Sequence, residues 1–376
     1  MCYFYISKKT KKVKQIFNIM KNLKLAALLM IMASGLLFTQ CTSDIIQGPE
    51  GIAGIDGSDG TDGVNGVDGV AGTAECITCH NTSHKEAIND SYALAKHSTA
   101  NTRTGSCAAC HSQEGYFAAL KGTFNELNYP SGTVLTKRTC TTCHSKHSTF
   151  DFANDGQDFA LRSSGPVALT HMPGVTIDFN SSSNMCVQCH QPRGPVPALD
   201  TDGLNMTVTT SNKGVTPHYG VNATFMAGVQ GYPITGDVAI PATGVNPHNS
   251  GASCTKCHMG SPTAVTNGSH TFKATLNACI TCHPGATSFD INGFQTEINA
   301  LEEDLKNLMF AKNMAVMGSR NPELIVGKVL PKAYVEIFWN YASVTSDHSS
   351  GVHNPAYIKA MLKNSIQKLN SLPSIP

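Results

Sequence analysis

Six stretches of the chain place two cysteines three residues apart with a histidine directly behind the second. They are Cys76, Cys79 and His80; Cys107, Cys110 and His111; Cys140, Cys143 and His144; Cys186, Cys189 and His190; Cys254, Cys257 and His258; and Cys279, Cys282 and His283. Two thiols and an imidazole in this order form the attachment sequence of a c-type haem: the thiols become thioethers to the porphyrin vinyl groups and the imidazole ligates the iron. The competing chemistry is tetrahedral zinc or a set of disulfides. It fits less well, because His makes up only 15 of 376 residues yet follows every one of the six pairs, and the pairs recur at irregular separations. Of the 14 cysteines only Cys2 and Cys41 lie outside the motifs, so no thiols remain for disulfides in the main domain.

The other histidines decide what such a cofactor could do. His84, His97, His147, His171, His218, His248, His270, His348 and His353 are a surplus over six second axial positions. Iron with an imidazole on both faces is coordinatively closed, so it passes electrons and binds no substrate. Met172, Met185 and Met259 lie near motifs and could also serve as axial ligands, but packing explains them better.

Over roughly residues 74–372 the chain resembles the multihaem c-type cytochromes. Several histidines stand in contexts similar to that group's distal-ligand sequences: Tyr92 to His97, Pro217-His218-Tyr219-Gly220, Asn246-Pro247-His248-Asn249-Ser250, Gly268-Ser269-His270, and Asp347 to Pro355 with its His353-Asn354-Pro355. The resemblance implies a distal set of His97, His147, His218, His248, His270 and His353. His147 enters because it follows His144 by three residues, a spacing seen in the group where one His serves its own haem and the next a neighbour; His171 is the reserve. His84 and His348 are expected in surface or supporting roles. Which distal His serves which haem is not legible at this level.

Haem attachment takes place outside the cytoplasm, so the chain must be exported. Met20 to Lys24 supplies a basic start, Leu25 to Phe38 an apolar run too short to span a membrane, and Cys41 follows. Leu36 to Cys41 looks like a bacterial lipoprotein signal with Cys41 as the lipidated residue, although Thr39 and Gln40 stand where small residues are preferred. Residues 1–19 precede a good start at Met20 and are set aside; residues 1–40 are taken as extension and signal peptide. From Gly48 to Gly72 every third residue is Gly, the collagen-like period, so 41–73 reads as a lipid-anchored stalk and self-association into trimers is one expectation. Removing the first forty residues takes seven Lys and no acid, leaving 20 basic against 26 acidic residues. That balance, with haem propionates added, excludes nucleic acid as a natural partner and suits basic patches on redox proteins.

The elements that must position these groups are few. The expected class is mainly α with extensive irregular loops, stacked haems forming the core and long helices at the C-terminus. Residues 74–290, the hexahaem region, are rich in Gly, Ser, Thr, Asn and Pro, with short helices expected over His84–His97 and Glu114–Lys121 and a loop-like stretch from Pro192 to Ser250. Residues 291–376 differ. Ile291, Phe294, Ile298, Leu301, Leu305 and Leu308 recur at helical spacing, predicting a helix over Gly293–Met317; Pro331 opens a second to Ser346 and Pro355 a third to Leu372, each Pro in the first turn. This helical region carries the distal ligand His353.

Two function classes follow. One is electron transfer through six covalently bound c-type haems at the outer membrane or cell surface, with other multihaem cytochromes or membrane quinol oxidoreductases as partners, or copies of itself in a haem wire. The other is a multihaem reductase or oxidase of nitrite or hydroxylamine type, acting on a small nitrogen or sulfur compound at one open haem. The ammonia-forming nitrite reductases mark their active haem with Lys in place of the motif His, and no C-x-x-C-K occurs here. The His surplus favours the carrier.

Overall fold

A helical turn underlies each Cys pair. In chain order the helices are α1 (Ala74–His80), α2 (Thr82–Ala93), α3 (Lys96–Thr99), α4 (Ala108–His111), α5 (Gln113–Leu120), α6 (Cys140–Cys143), α7 (Asn184–Val187), α8 (Asn222–Ala227), α9 (Pro247–Gly251), α10 (Ser253–His258), α11 (Leu276–Ile280), α12 (Phe294–Ala311), α13 (Lys332–Asp347) and α14 (Pro355–Ser371). Among the described residues, six short strands, β1 (Val167–Ala168), β2 (Thr176–Ile177), β3 (Asn205–Thr207), β4 (Ala315–Met317), β5 (Pro322–Leu324) and β6 (Val329–Pro331), pair antiparallel as β1–β2, β3–β6 and β4–β5. The computed structural model describes residues 74–124, 134–151, 154, 158–194 and 196–376. The expected signal peptide, the expected lipidation site Cys41 and the Gly-x-y stretch lie outside the described residues.

The side-chain core belongs mostly to the C-terminal helices. Ile298, Leu305 and Met309 of α12, Val335, Ile337 and Phe338 of α13 and Ile358, Met361 and Leu362 of α14 form one cluster with Met206 of β3, Phe225 of α8 and the loop residues Val221 and Ile234. Buried on almost every side, α13 is a central helix rather than a surface one. Polar side chains staple the irregular stretch before residue 240 onto it: Asn340 accepts from the Tyr232 amide at 2.7 Å, and Gln230 Nε2 donates to Ser343 Oγ at 3.0 Å. Asn364 on α14 does the same for Ile234 and Val238. Such amides satisfy backbone groups that a loop buried against helices would leave unpaired. A smaller cluster joins Val167, Leu169, Ile177, Phe179 and Val187 to Ala223, Met226 and Ala227.

Three local expectations change. The helix from Gly293 does not reach Met317. It ends at Ala311 in a Schellman arrangement, with Asn313 at φ 57°, the Met314 amide donating to the Met309 carbonyl at 3.2 Å and the Asn313 amide to Phe310 at 3.0 Å; Ala315–Met317 is strand β4. The stretch His84–His97 is two helices, α2 and α3, broken where Ala95 is fully buried in extended backbone (ψ 146°). Pro331 stands before the first turn of α13, with ψ 149°, as the last residue of β6; Pro355 does occupy the first turn of α14. The predicted helix at Glu114–Lys121 is α5, shifted by one residue, and among its described residues the loop-like stretch 192–250 holds β3, α8 and most of α9 and is otherwise irregular.

Candidate haem-binding centres

A Cys-x-x-Cys-His sequence wound into one turn puts both sulfurs and the imidazole on one side of the backbone. The turn closes as the His amide donates to the carbonyl of the first Cys: His144 to Cys140 at 2.9 Å, His190 to Cys186 at 2.9 Å and His283 to Cys279 at 2.8 Å. None of the twelve motif cysteines is joined in a disulfide. Short caps fix the turns. Thr139 and Thr142 form a capping box at α6, and Asn246 accepts from the His248 amide at 3.1 Å as Pro247 opens α9.

Every motif imidazole faces a second one. The ring centroids of His80 and His147 are 6.0 Å apart, those of His190 and His97 6.2 Å, and those of His111 and His218 6.4 Å. His144 and His270, His283 and His248, and His258 and His353 are each 6.3 Å apart. An imidazole nitrogen sits about 2.0–2.1 Å from a bound metal and about 1.1 Å from its own ring centre, so two imidazoles on opposite faces of one metal have centroids ~6.3 Å apart. The six separations therefore fit one metal ion that would be held between the two imidazoles of each pair. A structural zinc site needs four converging ligands, and no group of three or more His, Cys, Asp or Glu is placed to hold a metal among the described residues.

Backbone and side-chain acceptors fix the tautomers. Nδ1 of His144 lies 2.8 Å from the Phe159 carbonyl, Nδ1 of His258 2.9 Å from that of Phe272 and Nδ1 of His248 2.6 Å from that of Val352. A carbonyl oxygen only accepts, so in each ring Nδ1 carries the proton and Nε2 keeps a lone pair for a metal. His190 meets Asn222 Oδ1 at 3.0 Å, and His353 meets the Asp347 carboxylate at 2.7 Å. Burial holds His111, His258 and His270 below the usual imidazole pKa and His97 down to about 3, the neutral form a metal requires. His353 goes the other way: burial would lower it, but the Asp347 carboxylate more than offsets that and holds it above the ordinary value.

The centres touch one another. Cys186 lies within hydrogen-bonding reach of Cys254, and Cys189 of Cys110. Phe272, a non-glycine residue at φ 56°, packs its ring 4.6 Å from His97 and 5.8 Å from His270 while its carbonyl receives His258. His218 also holds a left-handed conformation, φ 66°. Such conformations cost of order 1–3 kcal/mol each and persist where the surroundings impose them. At the C-terminal side, the segment from Asp347 to His353 receives His248 at Val352 and supplies His353 to His258. Gly351 makes its turn at φ 85°, where an added Cβ would lie 2.9 Å from Ile298.

His171 lines a cavity of about 60 Å³ with Met172, Tyr232 and Trp339. His84 is exposed, and His348 stacks on Tyr219 at 5.2 Å, beside His218. Asn222, Asp347 and Phe272 were not singled out by sequence. Asp347 stands in the His353 segment, but nothing local marks Asn222 or Phe272; only the fold brings them to the imidazoles.

No protein-family description matches the chain, and no curated protein matches it. Among solved structures it is similar to the outer cell wall cytochrome OcwA, at 20% identity and a TM-score of 0.42, over 74% of this chain and 49% of that one. It is also similar to the undecahaem cytochrome from the S-layer of Carboxydothermus ferrireducens, at 19% identity and a TM-score of 0.44, over 76% of this chain and 41% of that one. The chain thus spans less than half the length of either. No helix among the described residues is long and apolar enough to cross a membrane.

Proposed function

We propose that this chain is an electron-transfer protein carrying six covalently attached c-type haems, each bonded through a motif Cys pair and held between a motif His and a distal His. The pairing of all six motif imidazoles with a second imidazole at 6.0–6.4 Å carries the reading. The pairs that would hold the irons are His80 with His147, His111 with His218, His144 with His270, His190 with His97, His258 with His353 and His283 with His248. Bound there, the haem irons supply one-electron chemistry at positions closed to substrate. The residues' own work is to fix: thioether sulfurs would set ring orientation, and Nδ1 acceptors hold the imidazole planes and tautomers of His144, His190, His248, His258 and His353. Contact between neighbouring motifs supports one contiguous electron path. A reductase needs one iron with an open face, and this arrangement offers each motif His a partner. The signal-like run before Cys41 and the Gly-x-y segment support an exported, lipid-anchored chain that exchanges electrons with other redox proteins at an outer surface.

Mass spectrometry of the mature holoprotein tests the attachment: six haem masses are expected, and none would end the reading. Electron paramagnetic resonance tests the ligation. All iron should be low spin, in two classes, because the ligand planes cross at 31° and 37° in two pairs and at 61–83° in the other four. Steeply crossed planes leave two iron d orbitals nearly degenerate and give the more anisotropic signals. A high-spin fraction in the wild type that binds nitrite or hydroxylamine would favour the enzyme. His270→Ala should convert one low-spin signal of six to high spin.

A further inference from the structure

Asp347 closes α13 with only 2% of its surface exposed, and its Oδ1 accepts from His353 Nδ1 at 2.7 Å. Its second oxygen accepts from Ser349 Oγ. Asn222, at the start of α8, faces it from the other side: Nδ2 donates to Asp347 Oδ1 at 3.2 Å and to the Asp347 carbonyl at 2.9 Å. The same amide's Oδ1 accepts from His190 Nδ1 at 3.0 Å. A primary amide has donors at one end and an acceptor at the other, so Asn222 completes an unbroken line, His190–Asn222–Asp347–His353, between ligands of two neighbouring centres. The thiol contact between Cys186 and Cys254 brings the same two centres together.

The partner of His353 differs in kind from the others. His144, His248 and His258 give their Nδ1 protons to neutral carbonyls, and His190 to a neutral amide; His353 alone among these five gives it to a carboxylate. A carboxylate on the far nitrogen makes an imidazole a more basic ligand and favours the more highly charged, oxidised iron. Burial keeps that charge effective at short range.

We propose that Asp347 lowers the potential of the His258/His353 centre and, through Asn222, that of the adjacent His97/His190 centre, so that the two behave as a coupled pair. Asp347 and Asn222 are positioning residues in this scheme, acting through the ligands. The inference rests on the functional reading above. It goes beyond it by assigning an order of potentials to particular residues.

The test is a redox titration of the six-haem protein, poised with dithionite and ferricyanide and followed by visible absorption and paramagnetic resonance. Asp347→Asn keeps the shape and removes the charge. It should raise one centre by about tenfold in its reduction equilibrium, equal to 59 mV for one electron, and a second centre by less. In an Asn222→Ala background the same substitution should move only the first. Ser349→Ala, a milder change that removes a donor from the carboxylate and strengthens its hold on His353, should lower the first centre. No shift on Asp347→Asn, or an equal shift of all six, overturns the role of Asp347; an unchanged second shift without Asn222 overturns the bridge. If Asp347→Asn fails to load haem, an unchanged or raised potential in Ser349→Ala overturns the proposal instead. Haem mass and spin state on the same samples separate the two readings, because six low-spin haems with unmoved potentials defeat only the inference, whereas missing haems in the wild type defeat the function.

Discussion

The stretch before residue 160 and the helices after residue 290 are ordered by different means. Among the described residues of the first, the buried apolar side chains are Ala95, Ala108, Ala109 and Tyr116, three of them alanines. The second buries Ile298, Leu305, Met309, Ile337, Phe338, Ile358, Met361 and Leu362 in one cluster. Both are helical in part, yet only the second has the apolar area that normally offsets the conformational entropy of folding. What the first has in place of a core is three Cys pairs and the imidazoles that face them. The contrast teaches that in this chain the hydrophobic core and the proposed haem scaffold are largely separate, meeting at α8 and at the segment from Asp347 to His353.

The most severe way to break that contrast is to produce the chain without haem attachment. Hydrogen exchange should then lose protection throughout 74–160 while α12, α13 and α14 keep theirs; simultaneous loss in both would mean that the helices depend on the cofactor as much as the motifs do. Phe338→Ala, at 1% exposure in α13, should cost about 3–5 kcal/mol by denaturant unfolding and act first on the helical region.

Acid should act on the other side. An unfolded chain takes up a proton at His97 near 6.5, the folded chain only near 3. Stability is then fully present above pH 6.5 and declines as pH falls from 6.5 to about 3, with no further loss from this group below that. The low-spin visible spectrum followed against pH should fade in that window; a spectrum unchanged to pH 3 would remove His97 as the weak point. Smallest in effect, Gly351→Ala forces a side chain into φ 85° and against Ile298, and should cost on the order of 1–2 kcal/mol in thermal unfolding, seen in α12 and α14 and not in 74–160.

Much of the helical region was legible because an amphipathic period and two prolines announce it. α13 and α14 fall within a residue or two of their expected spans. The end of α12 was not, since the apolar Met314 and Ala315 continue the pattern; Asn313 in the left-handed conformation diverts them into the core from a turn and a strand. The break at Ala95 escaped for a similar reason: alanine favours a helix locally, and only its burial fixes it as extended.

The sequence by itself determined which atoms could bond a porphyrin, because thioether attachment and the first iron ligand depend on residues within five positions of one another. It also supplied more imidazoles than second ligands required. Only the tertiary structure decided which imidazole meets which, since His97 and His190, or His258 and His353, are brought together by chain segments far apart in order. The same holds for the carboxylate behind His353: an aspartate six residues away is an ordinary neighbour until the left-handed turn at His348 and the loop through Gly351 fold it back, and burial removes the water that would otherwise screen its charge.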